Sequence, residues 1–218
     1  MTNSAAAAPM VTVTRMPGYY HGNGGEFTLT PNADLQALTG QAGPFESFCL
    51  ERTEFVTPGV TYDVQFNTEA LLGGRNDGDP GPGGGDPLDA RTAYLYAQFL
   101  AGALTGYDYT PGAGRSNSAQ ALQDVIWYVE NEAANTWSVG SLQDTFYTAA
   151  QEAVTSGDWT GLGNVRVLNL YAAGNAGDLQ YRAQDMLGTV ATIPAPGALV
   201  LVGLGTSLAG WLRRRQGL

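Results

Sequence analysis

Residues 73–87 are Gly, Pro, Asp, Asn and Arg without one apolar side chain beyond proline, and this stretch divides two kinds of sequence. Before it, short alternating or β-branched runs predict strands over residues 11–14, 26–30, 45–52 and 61–67. After it the apolar spacing lengthens to that of a helix. One helix is predicted over 89–104, with Ala93, Tyr96, Ala97, Leu100 and Leu104 on one face. A second is predicted behind the capping residues Ser116, Asn117 and Ser118, running through Val129. A third follows Ser141 over 142–154, and a last strand follows at 164–171. Strands on both sides of a helical block predict an α+β domain over residues 11–190. Its β-sandwich or barrel-like part carries a helical insertion.

The dividing stretch also holds Asp77 and Asp79, with Asp86 and Asp89 close behind. Carboxylates of this kind suit a hard cation such as Ca²⁺. Their spacing lacks the Glu that closes an EF-hand loop, so a solvated acidic loop is the competing reading.

The 218 residues are 44% hydrophobic and include 11 Tyr, 7 Phe and 4 Trp, enough for a packed core. Formal net charge is −10, and all ten cations are Arg because the sequence has no Lys. Three of the ten sit together at Arg213, Arg214 and Arg215, leaving 7 positive against 20 negative charges elsewhere. So acidic a body repels phosphate backbones, which excludes nucleic acid as a partner.

The chain closes in three parts: the Pro194-Ala195-Pro196-Gly197 segment, an apolar run over 198–212, and the three arginines. The apolar run is short for a bilayer span. Small residues at Gly203, Gly205 and Gly210 are of the type frequent in membrane helices. The terminal arginines orient such a helix with its charged end in the cytoplasm, leaving the body outside. This order resembles the PEP-CTERM sorting signal, with Ala195 where that family usually has Glu. The resemblance implies export, a short C-terminal transmembrane helix and an exosortase-type processing enzyme. Residues 191–197 then read as a linker and 198–218 as the membrane anchor. Residues 1–10 read as a disordered N-terminus, with the Ala5 to Ala8 run as the remnant of an export signal and a start codon lying further upstream.

Chemistry-bearing residues are few. His21 is the single histidine and Cys49 the single cysteine, which excludes an internal disulfide and a thiolate or histidine metal cluster. His21 falls in a Gly-rich stretch and is expected on an exposed loop. Neither a Ser-His-Asp set, a phosphate loop with Lys, nor an HExxH motif is present, so the chain is expected not to be an enzyme. Glu46, Glu51 and Glu54 lie close in sequence, and strand alternation is expected to put Glu51 on the opposite face from the other two.

Two short segments remain: Phe48-Cys49-Leu50-Glu51, and Gln123-Asp124-Val125-Ile126-Trp127 in the second predicted helix. Together they resemble the paired motifs of bacterial thioester domains, which are modules of surface adhesins. The likeness spans about residues 44–171, with Leu122 where the family often has Thr. It implies an internal thioester between Cys49 and Gln123, shielded by Phe48 and Trp127, that acylates an amine on a partner without turnover. On a helical wheel Gln123 lies at the edge of the apolar face, and Gln120 is the competing glutamine. Two functions stay open: a covalent surface-attachment module, and a non-reactive envelope or matrix protein that binds polysaccharide or protein reversibly.

Overall fold

The computed structural model describes residues 8–22, 24–71 and 85–191. Its strands are β1 (Met10–Thr14), β2 (Tyr20–His21), β3 (Gly24–Gly25), β4 (Phe27–Pro31), β5 (Phe45–Ser47), β6 (Thr61–Asn67), β7 (Glu69–Ala70), β8 (Asp86–Pro87), β9 (Val165–Ala172) and β10 (Met186–Thr189). Its helices are α1 (Ala33–Thr39), α2 (Ala90–Leu100), α3 (Ala113–Val129) and α4 (Leu142–Ser156).

Six strands form an antiparallel sheet in the order β10-β9-β6-β1-β4-β5. The sheet curls until its two edge strands meet. Ser47 Oγ donates to Leu187 O at 2.6 Å, Leu187 N to Phe48 O at 3.1 Å, and Leu50 N to Asp185 O at 3.0 Å. The result is a nearly closed barrel-like sheet whose seam lies just past β5, and closure removes the exposed edges of an open sheet.

Alternation along the strands sorts side chains between two cores. In β9, Leu168 and Leu170 join Val11, Val13, Phe27, Leu29 and Val64 inside the barrel. Val165 and Val167 point outward and pack under the helical layer with Leu95, Tyr96, Phe99, Leu122, Ile126 and Phe146. The helical layer, α2 to α4, enters between β8 and β9 as one insertion. Asp89 caps α2 by accepting from Arg91 N at 2.7 Å, and Ser141 caps α4 by accepting from Asp144 N at 3.2 Å.

The α+β class and barrel-like character agree with the sequence, while several boundaries differ. The strand expected over 45–52 ends at Ser47, because beyond it the chain bends into the seam. The helix expected after Ser118 begins at Ala113 instead. Its first two turns are held by tertiary bonds: Ser116 Oγ donates to Tyr20 O at 2.6 Å, and Ser118 Oγ accepts from Asp108 N at 3.0 Å. The capping pattern was thus spent on neighbouring segments. Helix α1, the small strands and β10 add to the expected elements, and α1 is bounded by Asn32, which accepts from Leu35 N at 2.9 Å, and by Gly40 in the left-handed conformation. No helix among the described residues is long and apolar enough to cross a membrane. The sorting segment Pro194 to Gly197, the apolar run and Arg213 to Arg215 lie outside the described residues.

Candidate functional site: the Cys49–Gln123 pair

Cys49 sits on the barrel seam, opposite Met186. Its neighbours Phe48 and Leu50 supply the bonds to the β10 segment, through the Phe48 carbonyl and the Leu50 amide. In an antiparallel pair, successive residues direct their N–H and C=O groups to opposite sides. The N–H and C=O of Cys49 therefore face away from β10, and there they meet α3.

Gln123 takes up both groups. Cys49 N donates to Gln123 Oε1 at 3.1 Å, and Gln123 Nε2 donates to Cys49 O at 2.8 Å. Gly25 N adds a second, longer donor to Oε1 at 3.4 Å. The carboxamide thereby occupies the place of a neighbouring strand, and its carbon is fixed beside residue 49. Both residues are buried, Gln123 at 1% exposure and Cys49 at 4%. The helix edge predicted for Gln123 is thus covered, by β2 and β3. Gln120, the competing glutamine, is exposed and lines only the outer cavity.

A buried ion pair that sequence reasoning missed ties the start of α3 to the segment ahead of β4. Arg115, in the first turn of α3, donates from Nε to Glu26 Oε1 at 2.9 Å and from Nη2 to Oε2 at 2.8 Å. Tyr107 Oη also donates to Glu26, and Arg115 Nη1 reaches Tyr109 O at 2.7 Å. Glu26 directly follows Gly25, so the clasp fixes the same backbone that donates to Gln123. Burial pushes the Glu26 carboxyl above its ordinary range, against the opposing pull of Arg115 and Tyr107.

Gly24 is required by space. A Cβ there would lie 2.7 Å from Gln123 Cγ and 2.8 Å from Trp127 Cη2. Trp127 is half-buried against this glycine, with the Arg52 guanidinium 5.9 Å from its ring centroid. Phe48 points into the helical core, edge-on to Phe99 at 5.1 Å, and lines neither cavity beside the pair.

Two cavities flank the pair. One, of about 360 Å³, is bounded by His21, Gly24, Arg52, Phe55, Gln120, Gln123, Asp124 and Trp127. The other, of about 200 Å³, reaches Cys49 and is bounded by Arg15, Phe27, Glu54, Phe55 and Gln184. Phe55, 73% exposed, borders both. His21 is exposed, as expected, but it lies on β2 and faces this site instead of standing on a free loop.

The thiol is held protonated. Burial pushes the Cys49 pKa up to about 12, and the Arg15 charge opposes this only in part. The carboxylates fall into groups the strand pattern did not foresee. Glu51 and Glu54 belong together with Glu132, Asp185 and Asp86, each raising the pKa of Glu51, which burial in the first place lifts to about 9. Glu46 stands apart, near Glu26 and Arg115, and burial lifts it to about 7. The alternation expected for these three fails because the strand stops before Glu51.

Of the proposed calcium ligands, Asp89 is engaged by Arg91 at 2.6 Å and Asp86 lies on β8, while Asp77 and Asp79 lie outside the described residues. Among the described residues no group of three or more His, Cys, Asp or Glu side chains is arranged to hold a metal ion. No protein-family model matches the chain, and no curated protein or solved structure compared with it is significantly similar.

Proposed function

We propose that this protein is an exported surface-attachment module that captures a partner amine through an internal thioester between Cys49 and Gln123. The reading is supported above all by the two hydrogen bonds that hold the Gln123 carboxamide against the backbone of Cys49.

The chemistry is a single acyl transfer within the chain. Cys49 Sγ adds to Gln123 Cδ, the Cδ–Nε2 bond breaks, and ammonia leaves. The thiol proton travels to the departing nitrogen, so no net proton is taken up. Negative charge passes through Oε1 during the addition, and the N–H groups of Cys49 and Gly25 already point at that oxygen. The high thiol pKa means attack by the neutral thiol, with its proton handed over in the same step. Release of ammonia into bulk solvent draws the reaction forward. The surface address rests on the C-terminal sequence alone, which also supplies the proposal of a membrane helix and an exosortase-type processing enzyme.

A second reading is favoured by the same burial: the carboxamide satisfies the Cys49 backbone, the thiol stays inert, and the protein is a non-reactive envelope or matrix component. Intact-mass spectrometry separates the two. The thioester reading expects a deficit of one ammonia, abolished in Cys49→Ala and Gln123→Ala, and uptake of one methylamine by the unmutated protein. Full sequence mass together with an alkylatable thiol in the denatured chain overturns it.

A further inference from the structure

We infer that the cavity of about 360 Å³ beside Gln123 is the entry site for a primary ammonium group, with Asp124 attracting the cation and His21 accepting its proton as the amide forms. The inference rests on the thioester reading and adds to it the entry site and the residues that handle the amine.

Gln123 itself lines the cavity, which therefore lies beside the acyl carbon of the proposed thioester. A volume of this size falls near the lower end of the roughly 300–1,000 Å³ usual for small-ligand sites. It takes an alkyl chain with a terminal amine, such as a lysine side chain, and the protein has no lysine of its own to compete. Two ionisable groups of opposite inclination line it. Asp124 follows Gln123 on α3 and is half-buried, with Gln143 Nε2 donating to its Oδ2 at 3.2 Å. His21 pairs across β2 and β3 with Gly24, the residue packed on Gln123.

Burial raises the Asp124 carboxyl, and the Gln143 bond, the His21 imidazole and the Arg52 charge oppose this. Arg52 is the other charged group at this cavity, and the Arg115–Glu26 pair lies further along α3.

An amine nitrogen must lose a proton to become an amide, and imidazole is the side chain suited to take it near neutrality. The incoming ammonium first loses one proton to solvent. The free amine then attacks Gln123 Cδ, the Cδ–Sγ bond breaks, and the second proton passes by way of His21 to the Cys49 sulfur. The products are an amide on Gln123 and a thiol on Cys49. Atoms and charge balance without any further reactant.

The test measures methylamine uptake by the full chain against pH, for the unmutated protein, His21→Gln, His21→Asn and Asp124→Asn, each first weighed for the ammonia deficit. The free-amine fraction is common to all, so it cancels in the ratio of unmutated to variant rates. That ratio is expected to rise with pH through the imidazole range for both His21 variants, reaching about a hundredfold. Asp124→Asn is expected to raise the half-saturating methylamine concentration several-fold and leave the limiting rate nearly unchanged. A pH-independent ratio near one in His21 variants that carry the deficit overturns this inference alone. Absence of the deficit from the unmutated protein overturns the thioester reading, and this inference with it.

Discussion

The carboxamide of Gln123 and the backbone of Cys49, 74 positions apart in sequence, exchange two hydrogen bonds of 3.1 and 2.8 Å. This exchange joins a helix to the seam of a barrel through one side chain. Its removal has consequences for stability as well as for chemistry.

Gln123→Glu keeps the shape and exchanges the Nε2 donor for an oxygen facing the Cys49 carbonyl. A buried group left unmatched costs about 1–3 kcal/mol, more when charged. Chemical denaturation is expected to show a loss at or above the top of that range. The same variant has no ammonia to release by attack on an amide, so its mass equals that of its sequence.

Gly24→Ala tests packing without backbone strain. The added methyl meets Gln123 and Trp127 at distances real side chains do not tolerate. Overpacking of this kind costs about 1–3 kcal/mol. The expected outcome is a lowered thermal midpoint and, on the proposed thioester chemistry, reduced methylamine uptake because Gln123 is pushed off its partners.

Arg115→Ala leaves Glu26 buried without its cation and is expected to cost about 3–5 kcal/mol by denaturant titration. The double variant Glu26→Leu with Arg115→Met is expected to cost less than Arg115→Ala alone. A double variant worse than that single one contradicts the account of Glu26 as the residue whose burial needs a partner.

Stability should fall as the pH is raised. Burial is the first cause lifting Glu51 to about 9, Glu130 to about 8 and Asp185 to about 7. Each keeps its proton in the fold above the ordinary carboxyl range, where the unfolded chain has already released it. Unfolding therefore releases protons, and stability present at mildly acidic pH is lost as the pH climbs through the folded values. Calorimetry between about pH 5 and about pH 9 should record a steady decline of the thermal midpoint. A midpoint that rises over this range contradicts the burial of these groups in protonated form.

How much of this was legible beforehand depended on whether a residue's role was local. Strand β6 and helices α2 and α4 follow from periodicity and from caps such as Ser141, which act within one turn. Cys49 and Gln123 stood out because each belongs to a short motif. The means of joining them did not, since the seam and the Glu26–Arg115 clasp pair residues with no sequence relation. Gly24 and Gly25 read as loop glycines, whereas one is a contact surface for Gln123 and the other a donor to it. His21 looked incidental for the same reason. Its place is set by pairing with Gly24, which no pattern around it announces.

The seam carries a consequence for biosynthesis. Ser47 and Leu187 bond across 140 positions, so the barrel cannot close until nearly the whole domain has left the ribosome. Contacts this distant in sequence form late and slowly. Through most of the chain's assembly the Cys49 thiol is therefore uncovered, and its exposure to oxidants ends only when the last strand docks.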